Sequence, residues 1–310
     1  MFYLFLIIQV ILKELFGQLL DRLSRADVSY GQGTEVAEDD VVLLLMAVLD
    51  VDFDTLNTLS QQPVTASQSD RALALLDQRI TQQRPMAYVV GFSVFAGLRF
   101  YVDERVLIPR SPFAELIDIG FRPFVNMSQV NAALDLCTGS GCIGLALAYY
   151  YPHTQVDLAD ISPAALAVAD RNRQQLKLQE RCRLIESDLW QQIDGSYDLI
   201  VSNPPYVGAQ EYDSLPDGFG HEPRQALVSP ADGLLLPMKI LAGAAKYLQS
   251  GGFLFLEVGH SEAALQAALP DVPLHWLDFE FGGQGICVFS RQDLIKYHDY
   301  FAEFIDRHVA

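Results

Sequence analysis

The chain has 310 residues, half of them apolar, which suffices for one large globular domain or two ordinary ones and excludes a disordered or fibrous protein. Its 21 basic and 39 acidic residues leave a net charge of -18 with no Lys/Arg-rich run, so no direct binding to DNA is expected. The four cysteines, Cys137, Cys142, Cys182 and Cys287, form no C-x-x-C pair and no zinc spacing, so no metal is expected and reduced thiols in a cytoplasmic protein fit best.

Residues 1–12 are apolar except for Gln9. That run is too short to span a bilayer as a helix, and it lacks the flanks of a signal peptide, so no membrane partner is expected. From Leu12 the apolar residues Leu12, Leu15, Phe16, Leu19, Leu20 and Leu23 follow helical spacing and predict an amphipathic helix. The stretch before it reads as a buried half of that helix, a membrane-associated segment, or an extension from a misplaced start. Glycines in Tyr30-Gly31-Gln32-Gly33-Thr34 predict a loop, and helices are predicted over 39–49 and 67–82. No catalytic cluster falls in 1–84, which reads as a small helical domain for substrate recognition.

Pro85 breaks this pattern. The Val-, Phe- and Tyr-rich stretch 88–108, with Gly91 and Gly97 as turn points, predicts a β-hairpin linker over 85–108. Beyond Asn131, strands are predicted at 132–136, 155–160, 183–187, 197–202 and 252–258, with helices between most of them, for example 163–176 and 237–248. This alternation demands an α/β fold: a mainly parallel sheet covered on both faces. Runs at 274–279 and 285–290 predict a closing antiparallel pair. The catalytic domain is expected over 109–294, followed by a tail over 295–310.

The first of these strands ends in Asp135-Leu136-Cys137-Thr138-Gly139-Ser140-Gly141-Cys142-Ile143-Gly144. Glycines 139, 141 and 144 satisfy G-x-G-x-x-G between a strand and a helix, where the backbone can approach a ligand and free N–H groups await it. Asp160 ends the next strand about twenty residues on, where a carboxylate can accept both hydroxyls of a ribose. Asp188 follows the third strand and is placed to receive an adenine amino group, with Leu189 packing on the ring. The alternative for both aspartates is a helix or turn cap. These sites suit an adenosine cofactor without separating S-adenosylmethionine from a dinucleotide.

The fourth strand runs into Asn203-Pro204-Pro205-Tyr206, at the end of a parallel strand where open α/β sheets bind ligands. Two prolines fix the backbone and remove N–H donors, leaving the Pro204 carbonyl free to accept. With the Asn203 side chain it can hold both hydrogens of an –NH2 group and aim its lone pair at a methyl. Hydrogen bonds to charge developing on the nitrogen favour the transition state, and fixed geometry supplies the rest, so no strong general base is needed. Tyr206 offers a flat face to the planar group. The catalytic and substrate-binding residues are therefore expected to be Asn203, Pro204, Pro205 and Tyr206.

From about Tyr30 to Leu294 the sequence resembles the HemK-like N5-glutamine methyltransferases. The resemblance is carried in order by Phe95-Ala96-Gly97-Leu98-Arg99-Phe100, Val106-Leu107-Ile108-Pro109-Arg110, the glycine loop, 203–206, Glu222-Pro223 and Leu256-Glu257-Val258-Gly259. It implies a Rossmann-like class I S-adenosylmethionine-dependent fold with a seven-stranded, mainly parallel sheet. It also implies that Asp135, Cys137, Thr138, Gly139, Ser140, Gly141, Asp160, Asp188, Leu189 and Asn203 bind S-adenosyl-L-methionine, and that Phe100 packs on the glutamine or the methionine end. Glu222 either shapes the substrate loop or is structural. One branch of the family modifies release factors and usually continues Pro-Arg with Pro-(Asp/Glu)-Thr-Glu. Here Arg110 is followed by Ser111-Pro112-Phe113-Ala114-Glu115, similar to the branch acting on large-subunit ribosomal protein L three, as are 30–34, 137–143, 276–279 and 282–285. Cys137 departs from the wider family's glycine. An acidic enzyme suits a basic ribosomal protein substrate. Release-factor methylation, adenine-N6 methylation of DNA and a non-catalytic ribosome-assembly module are the competing readings.

Overall fold

The computed structural model describes residues 10–309. The apolar run before Val10 lies outside the described residues, and so do the three readings of it. The described residues divide into two compact units, 10–93 with 216–221, and 94–215 with 222–309.

The first unit is helical: α1 (Leu12–Ser24), α2 (Ala37–Leu49), α3 (Phe53–Thr58), α4 (Ala66–Gln82) and α5 (Met86–Val90). Helix α2 is its centre, because Val41 and the run from Leu43 to Val48 are all buried. The predicted stripe of α1 turns inward, with Leu12, Leu15, Leu19 and Leu23 buried. One ion pair is sealed within the unit. Arg79 Nε donates to Asp40 Oδ2 at 2.7 Å, Thr34 Oγ1 donates to Asp40 Oδ1 at 2.8 Å, and Arg79 Nη2 donates to the Ser29 carbonyl at 2.5 Å. Burial pushes the Asp40 carboxyl up, against the pull of Arg79. Residues 216–221 join this unit, where the Phe219 ring faces Gly31.

The hairpin is shorter than expected. Residues 88–90 belong to α5, and only β1 (Phe92–Phe95) and β2 (Leu98–Tyr101) pair. Val89 and Val90 have strand-forming side chains, but Pro85 opens a helical turn and Gly91, at φ 78°, closes it.

The second unit continues with α6 (Phe113–Ile119), β3 (Ala132–Leu136), α7 (Cys142–Tyr150), β4 (Gln155–Asp160), α8 (Pro163–Gln175), β5 (Cys182–Glu186), β6 (Tyr197–Ser202), α9 (Ala209–Tyr212), α10 (Leu235–Ala244), β7 (Leu248–Glu257), α11 (Glu262–Ala268), β8 (His275–Trp276), β9 (Ile286–Ser290), α12 (Arg291–Lys296) and α13 (His298–Val309). The seven-stranded sheet has the order β5-β4-β3-β6-β7-β9-β8. Strands β5 to β7 run parallel, and β9 is antiparallel to both neighbours. Alternate residues feed opposite faces, as a pleated strand requires. Ala133, Leu158, Leu199 and Phe255 pack under α6 and α7, whereas Leu134, Ala159, Ile200 and Leu254 pack under α10 and α13.

Two differences from the sequence reading follow from packing. The helix expected over 237–248 ends at Ala244, because β7 begins at Leu248 to pair with Tyr197. The residues expected as a tail form α13, which buries Phe301 and Phe304, with Phe301 edge-on to Phe289 at 6.1 Å. Among the described residues, no helix is long and apolar enough to cross a membrane.

Candidate active site

Successive crossovers run from β3 to β4 and β5 on one side, and the order then reverses to β6 and β7 on the other. The reversal opens a crevice between the carboxyl ends of β3 and β6, where α/β sheets bind ligands. The glycine loop leaves β3 there and Asn203 leaves β6. The two strands are clamped by Ser202 Oγ, which donates to the Leu136 carbonyl at 2.6 Å. A cleft of about 220 Å³ lies at this point.

Asp135 does not line the cleft. Fully buried, it accepts Thr138 Oγ1 at 2.6 Å and Gly144 N at 2.8 Å, so it moulds the glycine loop from behind. Burial pushes its carboxyl up to about 6. Gly144 leaves no room for a Cβ, which would stand 2.3 Å from Leu158 Cδ2. Cys137, Thr138, Gly139 and Ser140 line the cleft, while Gly141 caps α7 at φ 80°. Cys137 holds φ 65°, a left-handed conformation that costs a non-glycine residue about 1 kcal/mol. Burial pushes its thiol well above the usual range, so it stays protonated and is a poor nucleophile.

Asp160 lines the cleft and accepts Gly139 N at 2.8 Å and Ser162 N at 2.9 Å, which fixes the carboxylate beside the glycine loop. Burial raises its pKa. Asp188 and Leu189 continue the same wall. Asp188 is exposed and accepts Gln191 Nε2 at 2.8 Å. Leu189, at φ 47°, is held by Ser187 Oγ on its carbonyl at 2.7 Å. A Cβ built on Gly139 meets nothing within 4 Å, so the loop leaves open space at the cleft. Small backbone, one fixed carboxylate and an apolar wall fit an adenosine group, the part of S-adenosylmethionine that this wall would hold.

Asn203 and Pro205 form the other wall, and Pro204 is buried between them. Among the described residues no hydrogen bond is taken up by the Pro204 carbonyl. Tyr206 is gripped on three sides. Ser261 Oγ donates to its carbonyl at 2.8 Å. Gly233, at φ 92°, passes so close that a Cβ would lie 2.0 Å from that carbonyl oxygen, and Gly259, at φ 48°, lies against the ring. The hydroxyl donates to Glu257 Oε1 at 3.5 Å. Gly259→Ala would set a Cβ 2.7 Å from the ring. We expect it to cost about 1–3 kcal/mol and to lower kcat by displacing Tyr206, as thermal unfolding and initial rates would reveal.

Phe100 is set apart from the rest. It is fully buried in the core under α6 and α7, edge-on to Phe95 at 6.3 Å, and does not line the cleft. Its neighbour Tyr101 is tied to the site instead. Asn172, fully buried on α8, accepts Tyr101 N at 2.7 Å and donates to the Ser140 carbonyl at 2.9 Å, joining hairpin to glycine loop. Glu222 is buried and bidentate with Arg110 at 2.7 and 2.9 Å, and accepts Ile108 N at 2.9 Å. It thus shapes the 105–111 segment of the cleft wall. Glu257, only 4% exposed, accepts Ser111 Oγ at 2.5 Å. No local sequence signal marked Asn172. Glu222 and Glu257 stood inside recognisable motifs, but without assigned partners. Among the described residues no cluster could hold a metal ion.

A family model described as the methyltransferase small domain matches residues 114–235, and one described as the PrmC N-terminal domain matches 29–91. The ribosomal protein uL3 glutamine methyltransferase of Neisseria meningitidis is 39% identical over 92% of this chain and 94% of its own. The protein of the same description from Francisella tularensis is 38% identical over 93% of this chain and 92% of its own. Among solved structures, the hMettl16 catalytic domain with an RNA hairpin matches with TM-score 0.51 at 16% identity, over 73% of this chain and 82% of that one, a likeness of fold alone.

Proposed function

Because the chain belongs to the ribosomal protein uL3 glutamine methyltransferase family, we propose that it transfers a methyl group from S-adenosyl-L-methionine to the side-chain amide nitrogen of a glutamine in that ribosomal protein. The observation that carries this reading is the position of Asn203 just beyond the end of β6, on the cleft wall that also includes the glycine loop.

Bound S-adenosylmethionine supplies an electrophilic methyl on a sulfonium. The residues of the chain do the rest. The Asp160 carboxylate, fixed beside the glycine loop, would hold the ribose, with Leu189 on the base and Asp188 at its amino group. Asn203 Oδ1 and the Pro204 carbonyl accept the two hydrogens of the glutamine –NH2. Its lone pair, delocalised in the free amide, would thereby be turned toward the cofactor side of the cleft, and both acceptors would strengthen as positive charge develops on nitrogen. The Tyr206 ring stacks on the planar amide, and its tight grip keeps that face fixed. Pro205 and Pro204 hold the loop without offering N–H groups that would compete. The surplus amide proton leaves to water. The acidic surface attracts a basic substrate protein, and it opposes a nucleic-acid backbone. A cytoplasmic enzyme acting on a ribosomal protein fits this set of features.

The proposal is tested by offering purified uL3 and a release factor together with labelled S-adenosylmethionine. Label is expected on uL3. Label confined to the release factor would move the protein to the other branch. Asp160→Ala is expected to weaken cofactor binding by about 1.5–3 kcal/mol, the worth of hydrogen bonds to a charged group, or roughly 10- to 100-fold in Kd by calorimetry.

A further inference from the structure

We propose that Glu257 is a positioning residue that orients the Asn203 amide and the Tyr206 ring for the incoming glutamine. The inference rests on the roles given above to Asn203 and Tyr206. Glu257 ends β7, the strand beside β6, so its side chain emerges next to the loop that follows β6. It is reached by the Ser111 hydroxyl at 2.5 Å and by the Tyr206 hydroxyl at 3.5 Å, and the pairing of Ser202 with Leu256 sets Asn203 beside it at the ends of β6 and β7.

An asparagine amide has two similar ends, and only its oxygen can accept a hydrogen from the substrate –NH2. An ionised carboxylate only accepts. An Asn203 amide beside this carboxylate would therefore turn its nitrogen to Glu257 and leave Oδ1 for the substrate. The same carboxylate takes the Tyr206 hydroxyl, while Gly259 lies against the ring, so the loop that carries Asn203 is anchored at its tyrosine. Ser111 also accepts Phe113 N at 3.1 Å, which ties it to the first residue of α6. The segment that distinguishes the two branches of the family thus ends on the carboxylate that orients the catalytic loop.

Protonating Glu257 would turn one of its oxygens into a donor and remove the bias on Asn203. Burial pushes this carboxyl up to about 7, while Ser111, Arg110, Tyr206 and Asn203 pull it down. Among the titratable groups facing it, the Arg110 guanidinium remains charged near neutrality. Burial pushes Tyr206 well above its usual range and Cys142 up to about 12, so both remain neutral there. The ionised, orienting form is lost as pH falls through about 7.

The test is kcat against pH, with cofactor affinity measured by calorimetry. Wild-type kcat should rise through a single inflection near the carboxyl's pKa. Glu257→Gln cannot ionise. Its profile should be flat across that range, with kcat lowered on the order of 10- to 100-fold, the effect of misplacing a positioned group, and cofactor Kd unchanged. Ser111→Ala removes a donor that stabilises the anion, so its inflection should move to higher pH. This second variant decides the matter if Glu257→Gln does not fold. An active wild type whose inflection survives in Glu257→Gln, or stays in place in Ser111→Ala, overturns this inference alone. A wild type that transfers no methyl to glutamine overturns the functional reading and this inference with it.

Discussion

Asn203→Ala is expected to lower kcat on the order of 10²- to 10³-fold, the scale seen when one preorganised group facing transition-state charge is removed. The substitution deletes one of two acceptors for the glutamine –NH2 and leaves the other, the Pro204 carbonyl, in place. The two prolines and the clamps on Tyr206 keep the loop backbone where it is. The loss should therefore appear in the chemical step rather than in folding. Single-turnover methyl transfer should slow, while the unfolding temperature stays near that of the wild type. The cofactor Kd should change far less than kcat, because Asn203 is one of many residues lining the cleft. A variant within threefold of wild type would mean that the loop is scaffolding.

The largest stability effect is expected at Arg79→Ala, in the helical unit. Both partners of this pair are sealed from water, Arg79 at 1% and Asp40 at 0% side-chain exposure. Removing one partner of a buried pair strands the other, at about 3–5 kcal/mol. Asp40 already has a raised pKa, because burial outweighs Arg79, and losing Arg79 raises it further. A carboxyl whose folded pKa exceeds its unfolded value binds more protons when folded, so its stability contribution falls as pH rises. The deficit of Arg79→Ala should be greatest at neutral and alkaline pH and should shrink as pH falls toward the acid range, where Asp40 takes up a proton. Chemical denaturation at several pH values measures this. The Ser29–Thr34 loop should loosen as well, since Arg79 donates to the Ser29 carbonyl and Thr34 to Asp40.

The parts of the site that were legible in the sequence are contiguous with a strand. The glycine loop follows β3 and 203–206 follow β6, so strand, turn residues and spacing sit in one short window. Asp160 was legible for the same reason, as a carboxylate at a strand end. What escaped depends on distant partners. Ser111 and Glu257 are 146 residues apart, and Arg110 and Glu222 are 112 apart, so no local pattern could pair them. Asp135 was assigned to the cofactor through the family resemblance. Its position next to buried Leu134 and Leu136 on a central strand seals it behind the glycine loop instead. Phe100 was placed at the substrate through the family motif, whereas its burial under α6 is a tertiary property.

The fold shows the same division. Long periodic segments such as α1, α4 and α8 were read to within a residue or two, since burial of one face sets their period. The region 274–279 contributes only His275–Trp276 to the sheet, because β8 is an edge strand that pairs on one side with β9. The helical spacing of Phe301, Phe304 and Ile305 was present in the sequence, yet it lay beyond Leu294, where the resemblance stops. Packing against α10 makes that segment a helix.

A glutamine side-chain amide in uL3 is the expected methyl acceptor. Peptide mass spectrometry of purified uL3, before and after incubation with this protein and S-adenosylmethionine, tests it most directly. One added methyl group is expected on the side-chain nitrogen of a single glutamine, absent when Asn203→Ala replaces the wild type. A uL3 that gains no methyl, or gains one on any residue other than glutamine, would contradict it.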